Sequence, residues 1–533
     1  MIKDLDSYLK DIDEMSKSSL NEDQKQLIKK ILEKTDPQDL DNVFQLLIQR
    51  VKIGFSFDVA PSVHQTQIAI LAKNEQLSFM NDAHNLFKND TNSLIIGENY
   101  DVLKNLLVLE RETSGRDAYY DVIYIDPPYN TEASKTDGNN FSEKDDITAS
   151  KFIYRDKFSR NGWLNMMNER LKLAKNLLKN DGVIFVSIDD SEQAYLKVLM
   201  DEIFGEENFI CSFIWERTNH TNQGNNGKKI FRNSEYIHTY SKNINSINYI
   251  NEGDKKEFDT APLKNNSNKE ILIKFDKNQI FVKEKNQLND KPLEFFIRSR
   301  WTQNRIDQEL FLGTKFILTN QKDQIIRVKY SDNKKGFLIP KALLNTSKLY
   351  LEKYFKSTTE HGTKELNDIL ENNNFSYPKP KELICYLLEI IQNKNAHVID
   401  FFAGSGTTGH AVLELNKEDG GNRTFTLVTN NENQIGTNVC YERLYRINNG
   451  VGTKNEADFD WINKNEAYLN NLNVYDLKYF DTNPIKIDNN EIKEAFTKML
   501  VDFNNTSQSS LFENKQRELL INLSTLKPIE KKE

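Results

Sequence analysis

The stretch VIYIDPPYN, residues 122–130, decides the fold of this 533-residue chain. Its first four residues are apolar and have the length of a buried strand, and the two prolines that follow cannot continue that strand. The stretch HVIDFFAGSGTT, residues 397–408, repeats this order, with a short apolar run, a loop that contains glycines and the start of a helical pattern. Strands that alternate with helices in this way predict an α/β fold with a parallel sheet.

Three more apolar runs extend the predicted sheet: LII at 94–96, VIFVSI at 183–188 and FTLV at 425–428. A helical face precedes the second run, formed by Trp163, Met167, Leu171, Ala174 and Leu178. We expect Asp181 and Gly182 to end that helix before the next strand begins. The sheet is therefore predicted to come from two stretches of chain, one on each side of a long middle segment.

The middle segment, residues 216–345, is basic although the whole chain is acidic. It has 24 Lys and Arg against 15 Asp and Glu, whereas the rest of the chain has 47 against 64, and the net charge of the chain is −8. Its weak periodicity suits an inserted domain better than further sheet layers. The predicted units are a helical N-terminal region (1–88), the first half of the sheet domain (89–215), the insertion (216–345), the second half of the sheet domain (346–454) and a C-terminal region (455–533) that either contacts a partner or second copy or covers the core.

The composition is that of a globular protein, with 38% hydrophobic, 28% charged and 11% aromatic residues. No apolar run approaches the roughly 18 residues that a membrane span needs, and the acidic start MIKDLDSYLKDIDEM is unlike a signal peptide. We therefore expect a cytoplasmic protein without membrane contact. Cys211, Cys385 and Cys440 lie far apart without CxxC or CxxH spacing, so the sequence predicts neither disulfides nor a bound metal.

The stretch Asp126-Pro127-Pro128-Tyr129 lies where the carboxyl ends of parallel strands open onto an α/β active site. An exocyclic amine of a nucleic-acid base is a poor nucleophile, and its two protons need hydrogen-bond acceptors. Asp126 and a backbone carbonyl held rigid by the two prolines can accept them. Tyr129 offers a flat face on which a flipped base can stack, typically worth ~1 to 3 kcal/mol. The alternative is a proline turn after a strand.

The second strand-and-loop stretch offers a cofactor site. Its glycines allow the backbone to approach a ligand closely, yet it has neither the Lys of a phosphate-binding loop nor a complete GxGxxG fingerprint. The candidate residues are Asp400, Phe401, Ala403, Gly404, Ser405, Gly406, Thr407 and Thr408. Glu432 follows the next strand, where nucleotide-binding α/β proteins hold ribose hydroxyls. The alternative for Glu432 is an acid in a solvated loop.

Together these residues resemble the amino-methyltransferases of DNA, in which DPPY is the catalytic motif and DxFxGSGTT binds S-adenosylmethionine. DPPY precedes the cofactor motif here, as in the permuted beta subclass. More narrowly, the chain resembles the modification subunits of type III restriction-modification systems over roughly residues 90–450. The resemblance is carried by GENYDVLKNL at 97–106, DPPYNT, SRNGWLNMMNERL, GVIFVSIDD, NSEYIHTYSKN and YPKPKELI.

The resemblance implies a Rossmann-like methyltransferase sheet whose catalytic half, 89–215, is separated from its cofactor half, 346–454, by a target-recognition domain. The implied cofactor is S-adenosylmethionine, with Lys379 and Pro380 flanking its methionine end. The implied reaction is direct in-line displacement onto N6 of adenine in double-stranded DNA, without a metal or a cysteine nucleophile. The implied partners are a second copy of the chain, in a homodimer, and a separate ATP-dependent restriction subunit.

The basic segment must hold phosphates and read base edges. Arg298, Arg300 and Arg305 around Trp301 suit these tasks, although each is also compatible with a solvated surface.

Two rival functions stay open. The same fold could act on N4 of cytosine or on an RNA base, since DPPY requires only an exocyclic amine. The resemblance favours adenine because relatives with DPPY mostly modify it, whereas relatives that modify N4 of cytosine more often carry Ser in place of Asp126. The chain could also be a catalytically silent subunit that only recognises DNA, although intact Asp126, Tyr129, Gly404 and Gly406 argue against it. A self-sufficient restriction enzyme is disfavoured because neither helicase motifs nor a nuclease carboxylate cluster is present in the sequence.

Overall fold

A computed structural model of the chain has an α/β architecture. It describes residues 5–14, 22–37, 39–40, 43–44, 47, 67–81, 92–114, 118–129, 160–218, 232–247, 250–252, 261–263, 270–320, 325–329, 339–344, 357–371, 375–481, 489–504 and 523. The strands are β1 (Gln67–Lys73), β2 (Asn92–Ile96), β3 (Tyr120–Ile125), β4 (Leu178–Ile188), β5 (Phe209–Glu216), β6 (Ser234–Ser241), β7 (Ala261–Pro262), β8 (Glu270–Phe275), β9 (Ile280–Val282), β10 (Gln287–Leu288), β11 (Leu293–Arg298), β12 (Lys315–Asn320), β13 (Ile325–Lys329), β14 (Leu343–Leu344), β15 (His397–Asp400), β16 (Thr424–Thr429) and β17 (Leu472–Asp481). The helices are α1 (Leu5–Glu14), α2 (Glu22–Leu32), α3 (Asn99–Ser114), α4 (Arg160–Leu177), α5 (Gln193–Phe204), α6 (Gln303–Phe311), α7 (Thr359–Leu370), α8 (Lys381–Glu389), α9 (Thr407–Asp419), α10 (Glu442–Asn449) and α11 (Asn489–Asn504).

The main sheet has ten strands among the described residues, in the order β1-β17-β2-β16-β15-β3-β4-β6-β5-β14. The six strands from β17 to β4 are parallel to one another. Antiparallel pairs flank them, with β1 against β17 on one side and β6 between β4 and β5 on the other. The expected α/β fold with a central parallel sheet is therefore confirmed.

Each face of this sheet is covered by helices, which makes a three-layer sandwich. Side chains alternate along β3, so that Ile123 and Ile125 lie on one face, while Val122 and Tyr124 lie on the other. The first face packs against α3, α4, α5 and α11, and the second against α7, α8, α9 and α10. Burial on both faces explains why these strands are continuous apolar runs in the sequence.

The start of β4 differs from the sequence prediction. The strand begins at Leu178, directly after α4, so Asp181 and Gly182 lie inside the strand and do not end the helix. The pairing of β4 with β3 shifts its register between Tyr120 and Val122, and this shift accommodates the additional residues.

The main sheet also takes strands from more of the chain than predicted. β1 lies in the predicted N-terminal region, β6 in the predicted insertion and β17 in the predicted C-terminal region. β6 belongs to the main sheet because Ile237 and Tyr240 are fully buried there, within a segment whose Asn and Lys content obscures the strand pattern. The smaller sheets, β10-β9-β12-β13-β7 and the ribbon of β8 and β11, share a separate core within residues 261–329. The division into domains stays a prediction, with this narrower range for the insertion.

Within the part of the chain that the structure describes, no helix combines the length and the apolar character that a membrane crossing requires. The same residues contain no group of three or more His, Cys, Asp or Glu side chains arranged to hold a metal ion.

Candidate active site

A cavity of about 450 Å³ opens at the carboxyl ends of the central parallel strands. Five of these neighbouring strands, β2, β16, β15, β3 and β4, are each followed by or end in an acidic residue that lines the cavity. In spatial order these residues are Glu98, Glu432, Asp400, Asp126 and Asp189. Since the carboxyl ends of parallel strands point the same way, residues from both halves of the sequence meet at one edge.

The Asp126-Tyr129 stretch forms one wall of the cavity. The Tyr129 hydroxyl donates to Asp126 Oδ1 at 2.6 Å, and the indole Nε1 of Trp163 donates to the carbonyl oxygen of Pro128 at 2.6 Å. Burial, and then the charge of Asp126, hold the pKa of Tyr129 well above its ordinary value. Tyr129 therefore stays a neutral hydroxyl that can donate, and the proline turn is fixed from behind by α4.

Two side chains that the motif did not predict complete this wall. Lys379 Nζ donates to Asp126 Oδ2 at 2.7 Å and to the Tyr129 hydroxyl at 2.8 Å, and it lies 5.0 Å from the centre of the Tyr129 ring. The same ammonium is 3.3 Å from Glu235 Oε2, and Arg217 reaches Glu235 Oε1 at 3.4 Å. Burial acts to lower the pKa of Lys379, but the charges of Asp126 and Glu235 outweigh it and raise that pKa above its ordinary value. Lys379 is therefore an ammonium.

Glu235 had no assigned role in the sequence analysis. It lies in β6, inside the NSEYIHTYSKN stretch, and the only local signal is a carboxylate two residues before the apolar Ile237, on the same buried face of a strand. Lys379 was expected at the methionine end of a cofactor. It lines the cavity, and its ammonium contacts Asp126. Pro380 immediately precedes α8 and is not among the lining residues.

The loop between β15 and α9 forms the opposite wall. Gly404 and Gly406 have φ values of 50° and 78°, in the left-handed region that favours glycine. Asp400 orders the loop by accepting hydrogen bonds from the Phe402 backbone N–H at 3.0 Å and from Thr408 Oγ1 at 2.5 Å. Burial raises the pKa of Asp400 to about 7.

The predicted loop residues mostly reach the cavity. Its lining includes Asp400, Phe401, Ala403, Gly404, Ser405, Thr407 and Thr408. Gly406 faces away from it, and a Cβ there would lie 3.0 Å from Cys440 Sγ.

A closed ring of buried and partly buried polar side chains supports this loop from below. Arg443 donates to Thr407 Oγ1 at 2.9 Å and to Glu365 Oε2 at 3.0 Å, so it ties the loop to α7. The ring runs through Arg443, His410, Tyr468, Glu414, Lys381 and Glu365. Burial, and then the charges of Lys381 and Arg443, hold the pKa of His410 well below its ordinary value, so its neutral ring can accept a hydrogen bond from Arg443.

The far end of the cavity has two further carboxylates. Glu98, after β2, forms an ion pair with the fully buried Arg170, which also donates to Asn99 Oδ1. Asn99 in turn donates to the Phe401 carbonyl oxygen at 2.8 Å, which joins this end to the glycine loop. Glu432 lines the cavity after β16, as expected for a group that meets ligand hydroxyls.

The arginines expected to contact DNA lie in the separate small-sheet unit. Arg298 is exposed on β11, 3.9 Å from Glu270, and Arg300, two residues after the end of that strand, is also exposed. Arg305 contacts Glu309 at 3.2 Å and lies 5.4 Å from the Trp301 ring, so it already has intramolecular partners. None of the three lines the cavity, and their contact with DNA stays a prediction.

A parallel sheet with a glycine loop, acidic groups after adjacent strands and one shared cavity defines an α/β protein that binds a nucleotide-like cofactor. The sequence comparisons then give the family. A protein-family model described as DNA methylase, for N6 and N4 methyltransferases, matches residues 120–445, and the chain belongs to this family. A second model, described only as an uncharacterised conserved protein, matches residues 5–116.

Three relatives illustrate the similarity. The StyLTI Mod subunit of a type III restriction-modification enzyme from Salmonella typhimurium is 31% identical, over 64% of this chain and 53% of that protein. The EcoPI Mod subunit from Escherichia phage P1 is 30% identical, over 67% of this chain and 60% of that protein. The type II methyltransferase M.KpnI from Klebsiella pneumoniae is 30% identical, over 69% of this chain and 88% of that protein. The chain thus spans less than two thirds of the length of the two Mod subunits.

Proposed function

We propose that this chain transfers a methyl group from S-adenosylmethionine to the N6 amino group of adenine in double-stranded DNA. The observation that carries the proposal is that Asp126, from the first motif, and the loop at Gly404, from the second, line one cavity although about 280 residues separate them. Membership of the DNA methylase family supports the same reaction class.

The cavity fits this cofactor. Its volume of about 450 Å³ lies within the ~300 to 1,000 Å³ of small-molecule sites. The positive φ of Gly404 lets the loop backbone come close to a ligand, and Glu98 and Glu432 offer acceptors for ribose hydroxyls. S-adenosylmethionine, when bound, supplies a methyl group on a positively charged sulfur, a charge that the acidic edge of the sheet complements.

The residues of the first motif then prepare the amine. Asp126 accepts a hydrogen bond from one amino proton, and because the Pro128 carbonyl already accepts from Trp163, we assign the second proton to the Pro127 carbonyl. Tyr129 stacks on the flipped base with one face of its ring, since the Lys379 ammonium lies over that ring. With both ligands bound, these contacts would orient the amino nitrogen toward the methyl group.

The wider role that we propose is modification and recognition subunit of a type III restriction-modification system, in the cytoplasm, as a homodimer with a separate restriction subunit. The names of the StyLTI and EcoPI relatives support the system. The small-sheet unit, residues 261–329, would carry target recognition. Light scattering with and without DNA tests the dimer; a monomer in both conditions would contradict it.

The test of the reaction is transfer of labelled methyl from S-adenosylmethionine to unmethylated genomic DNA, followed by nucleoside analysis. We expect N6-methyladenine with the wild type and none with Asp126→Ala. N4-methylcytosine as the sole product would transfer the proposal to cytosine. A folded wild type that binds DNA but neither binds the cofactor nor methylates DNA or RNA would refute catalysis in favour of a recognition module.

A further inference from the structure

Three charged side chains lie together at the cavity wall formed by Asp126–Tyr129. Asp126, Glu235 and Lys379 have side-chain exposures of 26%, 6% and 9%. Their formal charges sum to −1, opposite to the single positive charge of a sulfonium. Burying charges is costly unless they are paired, so the two carboxylates require the Lys379 ammonium between them.

The geometry gives each member a different task. The Lys379 ammonium holds Oδ2 of Asp126 at 2.7 Å, while Glu235 lies on the other side of the ammonium at 3.3 Å. The Tyr129 hydroxyl bridges the two carboxylates, at 2.6 Å from Asp126 Oδ1 and 3.2 Å from Glu235 Oε2. Asp126 lines the cavity, and with Oδ2 held by the ammonium, Oδ1 is the carboxylate oxygen with capacity for one further donor besides the Tyr129 hydroxyl.

We propose that Lys379 and Glu235 are positioning residues for Asp126: Lys379 fixes the carboxylate so that Oδ1 faces the target amine, and Glu235 anchors Lys379 and sets the cluster charge at −1. This inference rests on the proposed methyl transfer. It places Lys379 beside Asp126, where the target amine binds, and it gives a role to Glu235, which lies outside the catalytic motif.

The charge of the cluster matters for the proton that methylation releases. As the nitrogen forms its bond to the methyl carbon, the carbon–sulfur bond breaks and its electron pair stays on sulfur. The nitrogen becomes positive and gives one proton to Asp126 Oδ1, which leaves the cluster neutral until that proton passes to solvent. The positive charge thus stays next to the cluster throughout, first on sulfur, then on nitrogen and finally as the bound proton.

The test compares Lys379→Met, which removes the cation, with Glu235→Gln, which removes one anion, in single-turnover methylation of a cognate DNA duplex. We expect each rate constant to fall by about 100-fold or more, with cofactor affinity within about fivefold of wild type, because the pair acts on the amine acceptor. Lys379→Arg and Glu235→Asp should recover part of the rate, and they keep the test open if a neutral variant fails to fold.

The pH dependence of the same rate distinguishes positioning from packing. Removing the cation eases protonation of the carboxylates, whereas removing one carboxylate hinders protonation of the other. The acid limb should therefore move to higher pH in Lys379→Met and to lower pH in Glu235→Gln, each by about one unit. The charged or titratable groups that also face the cluster, and that both variants retain, are Tyr124, Tyr129, Asp189, Arg217 and Asp400.

A matched control is Lys179→Met, which breaks an ion pair with Asp121 at 2.9 Å at the opposite edge of the sheet and should keep the wild-type rate. Wild-type rates in both cluster variants would overturn the inference. So would a Lys379→Met protein that is folded and loses cofactor binding, since Lys379 would then act at the cofactor. An inactive wild type would instead refute the proposed function itself.

Discussion

Arg443 is the residue through which the glycine loop can be perturbed from outside the cavity. Its side chain is completely buried, and the guanidinium joins Thr407, in the first turn of α9, to Glu365, in α7. Arg443→Met keeps an apolar chain of similar length but removes the charge and its hydrogen bonds. The substitution therefore tests whether this ring of polar side chains holds the loop in place.

The expected loss follows from what the substitution leaves behind. Breaking a buried ion pair by removing one partner typically costs about 3–5 kcal/mol. Glu365 retains Lys381 at 3.0 Å and is 16% exposed, so we expect a loss in unfolding free energy of about 3 kcal/mol, at the lower end of that range. Affinity for S-adenosylmethionine should fall about tenfold, because Thr407 and Ser405 lose their common donor.

Urea unfolding and calorimetric titration of the cofactor measure the two effects. A double variant, Arg443→Met with Glu365→Gln, removes the carboxylate charge as well and should recover about 1–2 kcal/mol relative to the single variant. A loss below about 1 kcal/mol for Arg443→Met, or a double variant less stable than the single one, would refute the view that charge pairing in this ring supports the loop.

Three other perturbations have defined outcomes. A Cβ at Gly362 would lie 2.4 Å from the backbone oxygen of Pro378, so Gly362→Ala must displace the segment that carries Lys379. Single-turnover methylation should slow by about 10- to 100-fold, whereas an unchanged rate would show that methylation does not depend on the position of this segment. Burial, and then the charge of Glu98, raise the pKa of Asp101 to about 7, so the free energy of unfolding falls as pH rises from about 4 to 7. Over that interval, Asp101→Asn should become more stable than wild type by up to about 4 kcal/mol in urea unfolding, whereas a stability difference that does not change with pH would contradict the burial of this carboxyl. Arg300→Gln should weaken DNA binding similarly for all sequences and reduce the salt slope of the binding constant by about 1, whereas an unchanged slope would place Arg300 off the DNA.

The parts of the fold that the sequence predicted are those with local causes. A fully buried parallel strand is a continuous apolar run, and prolines or glycines mark its end, so the strands near Asp126 and Asp400 could be identified one by one. The strands farther from the centre of the sheet could not be identified in this way. β6 carries polar residues inside a basic segment, and β1 and β17 pair across about 400 residues, a partnership that no local pattern records.

The same distinction explains which contacts of the site the sequence did not predict. Asp126 and Tyr129 share one motif, whereas Lys379 meets them across about 250 residues and Glu235 arrives on β6. Lys379 was singled out from a resemblance, but only the packing of α7 against the segment before α8, where Gly362 permits close approach, brings its ammonium to Asp126. Contacts of this kind depend on tertiary geometry, which the sequence pattern of each element leaves undetermined.

Chain order and site geometry are independent in this fold, and the reason is the parallel sheet. Any strand inserted in parallel brings its carboxyl end to the same edge, so β15 and β16 can lie between β2 and β3 although they follow them by roughly 270 to 330 residues. The order of the two motifs in the chain therefore does not change which acidic residues meet at the carboxyl ends of these strands. It also frees the long connection after β6 to form a separate unit, because the antiparallel β5 and β6 lie beyond β4, at the side of the sheet away from the glycine loop. The small-sheet unit, residues 261–329, lies in that connection, while Glu235, on β6, stays fixed against the cavity wall formed by Asp126–Tyr129.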